Sequence, residues 1–237
     1  MAGDYVLRKA QTRHDASATA SIHLGEEGDS AGKVVQWDDL TGHGRTLTPS
    51  GCGADKTIVY GEMTTIGGRP VYNMGTTGSC IDLAMASAMT STRSVVMVTE
   101  IDLNANAFWL GAPSTFHFHR GSNATFAYDH SQNLLLKADG WQNGAKVANM
   151  KTDKPNGLGG LSVYVFNLKS AGTWQCLSSD RGGNERSGGK RLAELATFSG
   201  ELDVETREEV ERYLMKKWAP TPEYLQAQLD AAWVHVS

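Results

Sequence analysis

The sequence predicts an all-β protein built from two antiparallel sheets, with one helix packed on them near the C-terminus. The chain of 237 residues contains 26 glycines and only 6 prolines, a composition typical of many tight turns between short strands. Hydrophobic residues make up 40% and charged residues 20%, the balance of a globular chain with a sizeable core. Apolar, β-branched segments separated by glycine and asparagine turns indicate the individual strands.

Strand signals follow one another along most of the chain. Residues 33–40, KVVQWDDL, alternate in part and lead into the turn signal TGHG, while residues 93–103, RSVVMVTEIDL, are apolar and β-branched as in a buried strand. A meander is predicted next, in TFHFHRG, ATFAYDH and NLLLKADGWQNGAKVAN, where Asn143-Gly144 favours a type I′ hairpin turn. Two further strands are predicted in LSVYVFNLKS and GKRLAELATFS.

The C-terminal part changes from strand to helix periodicity. Apolar residues within residues 204–218 have the helical spacing i, i+3, i+4 and i+8, at Val210, Tyr213, Leu214 and Trp218. Because two prolines shortly afterwards end this helix, we expect one domain over residues 1–219 and a tail or short helix over residues 220–237. Trp218, and Trp37 near the start of the domain, are expected to be buried in the core.

Charge and hydropathy argue against two classes of partner. The formal net charge is −4 and no cluster of Lys and Arg stands out, so nucleic-acid binding is not expected. No run of about 20 apolar residues is present, so membrane insertion is not expected either. The first ten residues, MAGDYVLRKA, lack the apolar segment of a signal peptide, which leaves a cytoplasmic protein or a domain of a longer exported chain.

The three cysteines, Cys52, Cys80 and Cys176, lack the spacing of metal ligands. We expect them to be free or buried thiols. A Cys52–Cys80 disulfide is the alternative, which an oxidising compartment outside the cytoplasm would permit.

Several segments resemble one family of domains. GKVVQWDDLTGHGRTLTPS contains a strand, a tryptophan, an aspartate and a Gly-x-Gly turn; the other similar segments are RHDASATASI, GGRPVYNMG and the closing GKRLAELATFSGELDVETREEVERYLMKKW. Together they resemble the bacterial laminin-G-like, concanavalin A-like jelly-roll domains over roughly residues 10–218. The resemblance implies a jelly-roll sandwich with one packing helix. It also implies a non-catalytic recognition module that binds carbohydrate or a surface-protein partner, at the cell surface or outside the cell, within a larger bacterial or phage protein.

A shorter motif supports a different function. In GELDVE, Glu201, Asp203 and Glu205 stand at alternate positions, which share one face of a strand. The motif resembles the active-site strand of laminarinase-type β-glucanases, and a retaining glycosidase needs two carboxylates about 5 Å apart. The same residues also favour a helix start, with Asp203 as the N-cap and Glu205 in the first turn. We expect the helix start; a glycoside hydrolase using Glu201 and Glu205, or a structural or adhesive spacer, is the alternative function.

The central part of the chain supplies the residue types of a carbohydrate site, which are aromatic platforms and planar hydrogen-bonding groups. Seven residues are predicted to contact the ligand: Trp109, His117, His119, Arg120, Tyr128, Asp129 and Trp141. If residues 115–121 form a strand, His117 and His119 point to the open face while Phe116 and Phe118 point to the core. A half-exposed sheet surface without a ligand is the alternative interpretation.

Asp38 and Asp39 are the first candidates for a calcium site, because lectin-like sandwiches often bind calcium through loop carboxylates. A His-x-His pair on a strand, here His117 and His119, can also bind zinc with Asp129 or His130 as a further ligand, but calcium is the better-motivated cofactor. The alternative is structural: the aspartate that follows Trp37 would accept hydrogen bonds from backbone amides of the next turn. We expect the structural role.

Overall fold

The computed structural model describes residues 2–50, 58, 60–66, 68–75, 81–101, 108–112, 114–120, 125–155, 160–177 and 190–218. This described chain is mostly β, with a large antiparallel sheet and two α-helices, which confirms the predicted predominance of β-structure. Neither of these helices is long and apolar enough to cross a membrane. The expected tail over residues 220–237, Cys52 and Cys80 lie outside the described residues, whereas Cys176 is buried.

The helices and strands are numbered here in chain order. The helices are α1 (Ala2–Leu7) and α2 (Val204–Lys217). The strands are β1 (Thr12–Asp15), β2 (Ile22–Leu24), β3 (Val34–Trp37), β4 (Thr48–Ser50), β5 (Glu62–Ile66), β6 (Arg69–Asn73), β7 (Asp82–Ile101), β8 (Asp139–Gln142), β9 (Ala145–Lys146), β10 (Ser162–Cys176) and β11 (Lys190–Phe198).

One antiparallel sheet contains nine of the described strands. Its order is β5-β6-β11-β7-β10-β8-β9, with β1 paired to β11 and β4 paired to β7, while β2 and β3 form a separate two-stranded sheet. The central strands β7, β10 and β11 overlap the predicted strands RSVVMVTEIDL, LSVYVFNLKS and GKRLAELATFS. Because these three neighbours are far apart in sequence, long-range pairing builds the centre of the fold.

Side chains of the central sheet divide between two faces, because successive residues of a strand alternate and directly paired residues share a face. Val165 of β10 lies opposite Val96 of β7 and Trp141 of β8, so these three residues share one face. Tyr164 and Phe166 of β10 lie on the other face. Val96, Val165, Tyr164 and Phe166 are all buried, which shows that both faces of the sheet are covered at its centre.

The helix α2 covers the first of these faces, which we call the helix face. Asn167 and Ser94, paired across β10 and β7, hold the chain between β11 and α2. The Asn167 side-chain amide donates to the Leu202 carbonyl at 2.7 Å, and the Ser94 hydroxyl accepts from the Leu202 N–H at 3.1 Å. Asp203 then caps α2 by accepting from the Thr206 N–H at 2.8 Å, which confirms the predicted N-cap.

Aromatic side chains cover the opposite face, which we call the aromatic face. Trp37, at the end of β3, packs against His14 and Tyr72, with ring centroids 5.7 Å and 5.9 Å away. His14 is paired with Leu195 of β11, which is itself paired with Met97 of β7. Because Met97 is the neighbour of Val96, which lies on the helix face, Met97, Leu195 and His14 lie on the aromatic face. Trp37 and Trp218 are both buried, which confirms their predicted place in the core.

The predicted meander is confirmed only in part. Asn143 and Gly144 have φ angles of 51° and 81°, as a type I′ turn requires, and they connect β8 to β9. Residues 115–121 were predicted to form a strand, but the described residues 115–120 of this segment form turns with isolated bridges. This segment packs against β10 through side chains: a Cβ atom on Gly172 would lie 2.8 Å from the Phe118 ring. The strand prediction for this segment is therefore wrong.

The short helix α1 is not predicted from the sequence, because six residues are too few to show a helical period. Tertiary contacts hold it in place. The Asp4 carboxylate accepts from the Arg13 guanidinium at 2.9 Å and from the Tyr213 hydroxyl at 3.4 Å. Helix α1 therefore depends on packing against β1 and α2 rather than on its own propensity.

Candidate functional site

Trp109, predicted as part of a ligand platform, belongs to the core of the aromatic face. Its side chain is 1% exposed, and its indole N–H donates to the Phe126 carbonyl at 2.8 Å. Its ring centroid lies 4.9 Å from that of Tyr164 and 5.1 Å from that of Phe166. Trp109 therefore packs beneath the surface and presents no exposed ring to a ligand.

His119 and Arg120 are also buried, which corrects the predicted orientation of this segment. A strand would turn His119 away from Phe118, yet both residues are 1% exposed. The His119 ring stacks on Phe108, with centroids 4.3 Å apart and planes inclined by 3°. The Arg120 guanidinium carbon lies 6.0 Å from the centroid of the Trp109 ring. The prediction fails because consecutive residues of a turn can all point inward, whereas those of a strand alternate.

Three partly exposed aromatic rings lie next to these buried residues, and we call Phe116, Tyr128 and His130 the aromatic patch. The Phe116 and His130 ring centroids are 4.3 Å apart. The buried His119 ring connects the patch, since its centroid lies 5.9 Å from Phe116 and 4.5 Å from Tyr128. Tyr128 is the most exposed of the three, at 37%.

Asp129 and Lys151 add opposite charges beside the aromatic patch. Asp129 follows Tyr128 directly, and its carboxylate lies 2.7 Å from the Lys151 ammonium group. Their side chains are 66% and 55% exposed. Because an ion pair with this exposure is weak, both groups can exchange their contact for hydrogen bonds to a ligand. Among the predicted ligand residues, Tyr128 and Asp129 thus share one exposed surface.

His117 is half-buried and connects this region to β10. Its Nδ1 atom accepts a hydrogen bond from the Thr173 backbone N–H at 2.8 Å. Burial lowers the pKa of His117 below its ordinary value. Asn133 fixes the adjacent loop, because its side-chain amide donates to the carbonyls of His119 and Tyr128 at 2.7 Å each. His117 and Asn133 therefore position the residues around the aromatic patch.

Trp141 does not join the other predicted ligand residues. It lies on the helix face, opposite Val165, whereas Trp109 packs against the residues of the aromatic face. The Arg207 guanidinium carbon lies 4.5 Å from the Trp141 ring centroid, and the Lys146 ammonium nitrogen lies 5.7 Å from it. The sheet thus separates the two tryptophans, so they cannot form one platform.

Asp39 has the structural role expected from the turn that follows it. Its carboxylate accepts hydrogen bonds from the backbone amides of Arg13 and Thr41 at 3.0 Å each, and from that of Arg45 at 3.3 Å. The Thr41 hydroxyl donates to both carboxylate oxygens. Although burial favours the neutral acid, these hydrogen bonds hold the pKa of Asp39 below its ordinary value. The structural role predicted for the aspartate that follows Trp37 therefore falls to Asp39, one residue further along than Asp38.

Asp38 is engaged by its neighbours as well. Its carboxylate lies 2.7 Å from the His23 ring nitrogen and accepts from the Gln36 side-chain amide at 2.7 Å. The hydrogen bonds with His23 and Gln36 lower the pKa of Asp38. Within the described part of the chain, no group of three or more His, Cys, Asp and Glu residues is arranged to hold a metal ion. The calcium site therefore stays a prediction that these residues do not favour.

The two carboxylates of the hydrolase alternative do not share a strand. Strand β11 ends at Phe198, and Glu205 already lies in the first turn of α2. Glu201 precedes the cap and is ion-paired with Arg93. The spacing i, i+4 therefore does not place these carboxylates on one strand face, and the geometry that the alternative required is absent from this segment.

A buried charge network on the helix face was not predicted from the sequence. Glu194, which is 1% exposed, accepts from Arg13 at 2.9 Å, from Lys217 at 2.6 Å and from the Trp218 indole at 2.8 Å. Asp15 pairs with Lys217 and lies 3.5 Å from Arg13. Because the charges are buried and satisfy one another, the network joins β1, β11 and α2 structurally. The sequence signal for it is a lone glutamate within the apolar run LAELATF.

Phe116 and Lys151 were not expected beside the predicted ligand residues, and His130 was not among the seven residues predicted to contact the ligand. Phe116 was assigned to the core because residues 115–121 were expected to alternate as a strand. Lys151 is far from Asp129 in sequence, so only the folded chain brings its ammonium group to the carboxylate.

Comparison of the chain with protein-family models, with curated proteins and with solved structures found no match. The resemblance to concanavalin A-like domains therefore stays a prediction. The case for a function rests on the geometry of the aromatic patch and its neighbours.

Proposed function

We propose that this protein is a non-catalytic carbohydrate-recognition module and that the aromatic patch is its binding surface. The observation that carries the proposal is the grouping of Phe116, Tyr128 and His130 beside the exposed Asp129–Lys151 ion pair. Aromatic rings pack against the apolar face of a pyranose, and nearby polar groups hydrogen-bond its hydroxyls. The patch combines both kinds of group on one surface.

The contacts beneath the patch favour binding because they fix its backbone before a ligand arrives. Asn133 binds the carbonyls of His119 and Tyr128, and the Tyr128 N–H donates to the His119 carbonyl at 2.9 Å. A binding surface that is ordered in advance loses less conformational entropy on association. The exposed Asp129–Lys151 pair contributes little to folding, so a ligand can replace it at low cost.

This proposal implies a concanavalin A-like jelly-roll fold. It also implies that the domain belongs to a larger exported protein at the cell surface. Two features support the fold. The strand order places non-consecutive strands side by side, and β7 pairs with β4 through its first residues and with β11 through its last ones. Register shifts between β7 and β10 introduce the bulges that bend a sheet. The cell-surface setting rests on the resemblance alone.

A glycan array probed with the intact chain, with and without EDTA, tests the proposed function. We expect binding to at least one class of glycan, with an affinity that falls about tenfold or more for Tyr128→Ala. That substitution removes the exposed ring and keeps the backbone hydrogen bonds of Tyr128. Tyr5→Ala is the matched control, because Tyr5 is a tyrosine of α1 that is 61% exposed.

Binding to no glycan would contradict the proposal and leave the structural spacer as the better account. Equal losses in Tyr128→Ala and Tyr5→Ala would contradict the assignment of the binding surface. Glycan binding that EDTA abolishes would show that a metal ion takes part.

A further inference from the structure

The contact between His117 and Thr173 requires a neutral imidazole. A backbone N–H can only donate, so the Nδ1 atom of His117, 2.8 Å from the Thr173 nitrogen, must be the acceptor. The ring proton then resides on Nε2. Protonation would place a second proton on Nδ1, directed at the Thr173 N–H, and would convert this attraction into a repulsion.

The Thr173 N–H is available to His117 because the pairing of β10 is irregular there. The register of β10 against β7 shifts between Gly172 and Trp174. Such a bulge leaves a backbone group outside the regular ladder of the sheet. Phe118 fills the space at the bulge, since a Cβ atom on Gly172 would lie 2.8 Å from its ring. His117 and Phe118 therefore anchor residues 114–120 on the same irregular point of β10.

The Leu134 N–H also binds this anchored segment, because it donates to the His117 carbonyl at 3.1 Å. Besides His117, residues 114–120 and 125–137 carry six charged or titratable side chains: His119, Arg120, Tyr128, Asp129, His130 and Lys137. Arg120 is buried near Trp109, and Asp129 is paired with Lys151. Residues 172–176 of β10 carry no charged side chain. Burial, which disfavours the charged imidazole, is the cause of the lowered pKa of His117.

We propose that the His117–Thr173 hydrogen bond makes the aromatic patch sensitive to pH. On protonation of His117 the bond is lost, residues 114–120 are released from β10, and Phe116 leaves its position 4.3 Å from His130. If the aromatic patch binds glycan as proposed above, the protein releases its glycan in mildly acidic solution. The structural half of this inference does not depend on a ligand.

His130 makes a comparable hydrogen bond, but with a residue close to it in sequence. Its Nδ1 atom accepts from the Gln132 N–H at 3.2 Å, two residues further along the chain. The His130 contact lies within one turn, whereas the His117–Thr173 contact joins two segments that are far apart in sequence. Observing Thr173 therefore reports on the His117 contact and not on that of His130.

The test follows the Thr173 amide by ¹H–¹⁵N NMR in the ligand-free protein from pH 7.5 to pH 4.5. We expect its chemical shift to titrate together with the His117 ring signals. We also expect its protection factor, the intrinsic exchange rate divided by the observed one, to fall at least about tenfold. The matched variant is His117→Asn, because the Asn side-chain oxygen can accept at the place of Nδ1 and does not titrate. In His117→Asn the Thr173 signal should stay constant over the same range.

A Thr173 amide that does not respond in the natural protein would overturn the inference, and so would the same transition in His117→Asn. If His117→Asn does not fold, the natural protein alone still tests the inference. Equal titration midpoints for His117 and Thr173 would support it, and different midpoints would overturn it. This readout needs no ligand, so it is separate from the test of glycan recognition.

The second measurement compares glycan affinity at pH 7.5 and pH 5.0. We expect a loss of at least about tenfold in the natural protein and a smaller loss in His117→Asn. If no glycan binds at either pH, the proposed function fails while the Thr173 titration still tests the contact. If glycan binds equally at both pH values although Thr173 titrates, the link between the contact and the aromatic patch is overturned.

Discussion

His14 allows a quantitative prediction of how acid destabilises the fold. It lies on β1 with no exposed surface, packs against the Trp37 ring at 5.7 Å, and its Nε2 atom is 2.9 Å from the Thr12 hydroxyl. Burial lowers the pKa of His14 from 6.5 to about 4. Between these two pH values the unfolded chain binds a proton at His14 that the folded chain excludes. Stability is therefore lost as pH falls from about 6.5 towards 4.

The linkage relation converts this pKa difference into a free energy. With pKa values of 6.5 in the unfolded and about 4 in the folded state, the destabilisation is about 2 kcal/mol at pH 5 and about 3 kcal/mol below pH 4. At pH 7.5 His14 is neutral in both states and contributes almost nothing. The suitable perturbation is His14→Gln, whose amide can reach the Thr12 hydroxyl and does not titrate.

The assay is urea unfolding of both proteins at pH 7.5, 6 and 5, followed by tryptophan fluorescence. The comparison uses the difference between the two proteins, because other groups such as His117 also titrate. We expect the stability of the natural protein to fall by about 2 kcal/mol relative to His14→Gln between pH 7.5 and pH 5. A difference that does not change with pH, or a His14 ring that titrates near 6.5 by NMR, would refute the reasoning.

Three further predictions concern stability. Glu194→Ala should lower the free energy of unfolding by about 3–5 kcal/mol, because it removes the buried carboxylate that accepts from Arg13, Lys217 and the Trp218 indole together. An unchanged urea midpoint would show that the network is dispensable. Gly172→Ala should lower the free energy of unfolding by about 1–3 kcal/mol, since the new methyl group would lie 2.8 Å from the Phe118 ring. An unchanged free energy of unfolding would show that Phe118 and residues 114–120 do not pack against Gly172. EDTA should leave the thermal midpoint unchanged, because backbone amides already satisfy Asp39; a clear drop would indicate a bound metal ion.

Features that depend on neighbours in sequence could be predicted from the sequence. Asp203 and Thr206 belong to one helix start, so the residue types alone indicated their contact. Asp39 and Thr41 belong to one turn, where the residue types indicated an aspartate that accepts from backbone amides but not which of the two aspartates it is. The Asn143-Gly144 hairpin is local in the same way.

Features that depend on distant strands could not be predicted in this way. The sequence FHFH alternates as a strand would, yet a bulge in β10 and the packing of Phe118 on Gly172 turn His119 inward. The separation of Trp109 and Trp141 follows from the pairing of β8 with β10, which no local pattern specifies. The aromatic patch likewise requires Phe116 and His130 to meet across a turn.

NMR mapping of the surface that a glycan selected on the array contacts tests directly whether the aromatic patch binds it. We expect the largest ¹H–¹⁵N shift changes on titration at residues 114–120 and 125–133, around Tyr128, and we expect them to disappear in Tyr128→Ala. Changes centred on Trp141 and α2, or shifts that persist unaltered in Tyr128→Ala, would contradict binding at the aromatic patch.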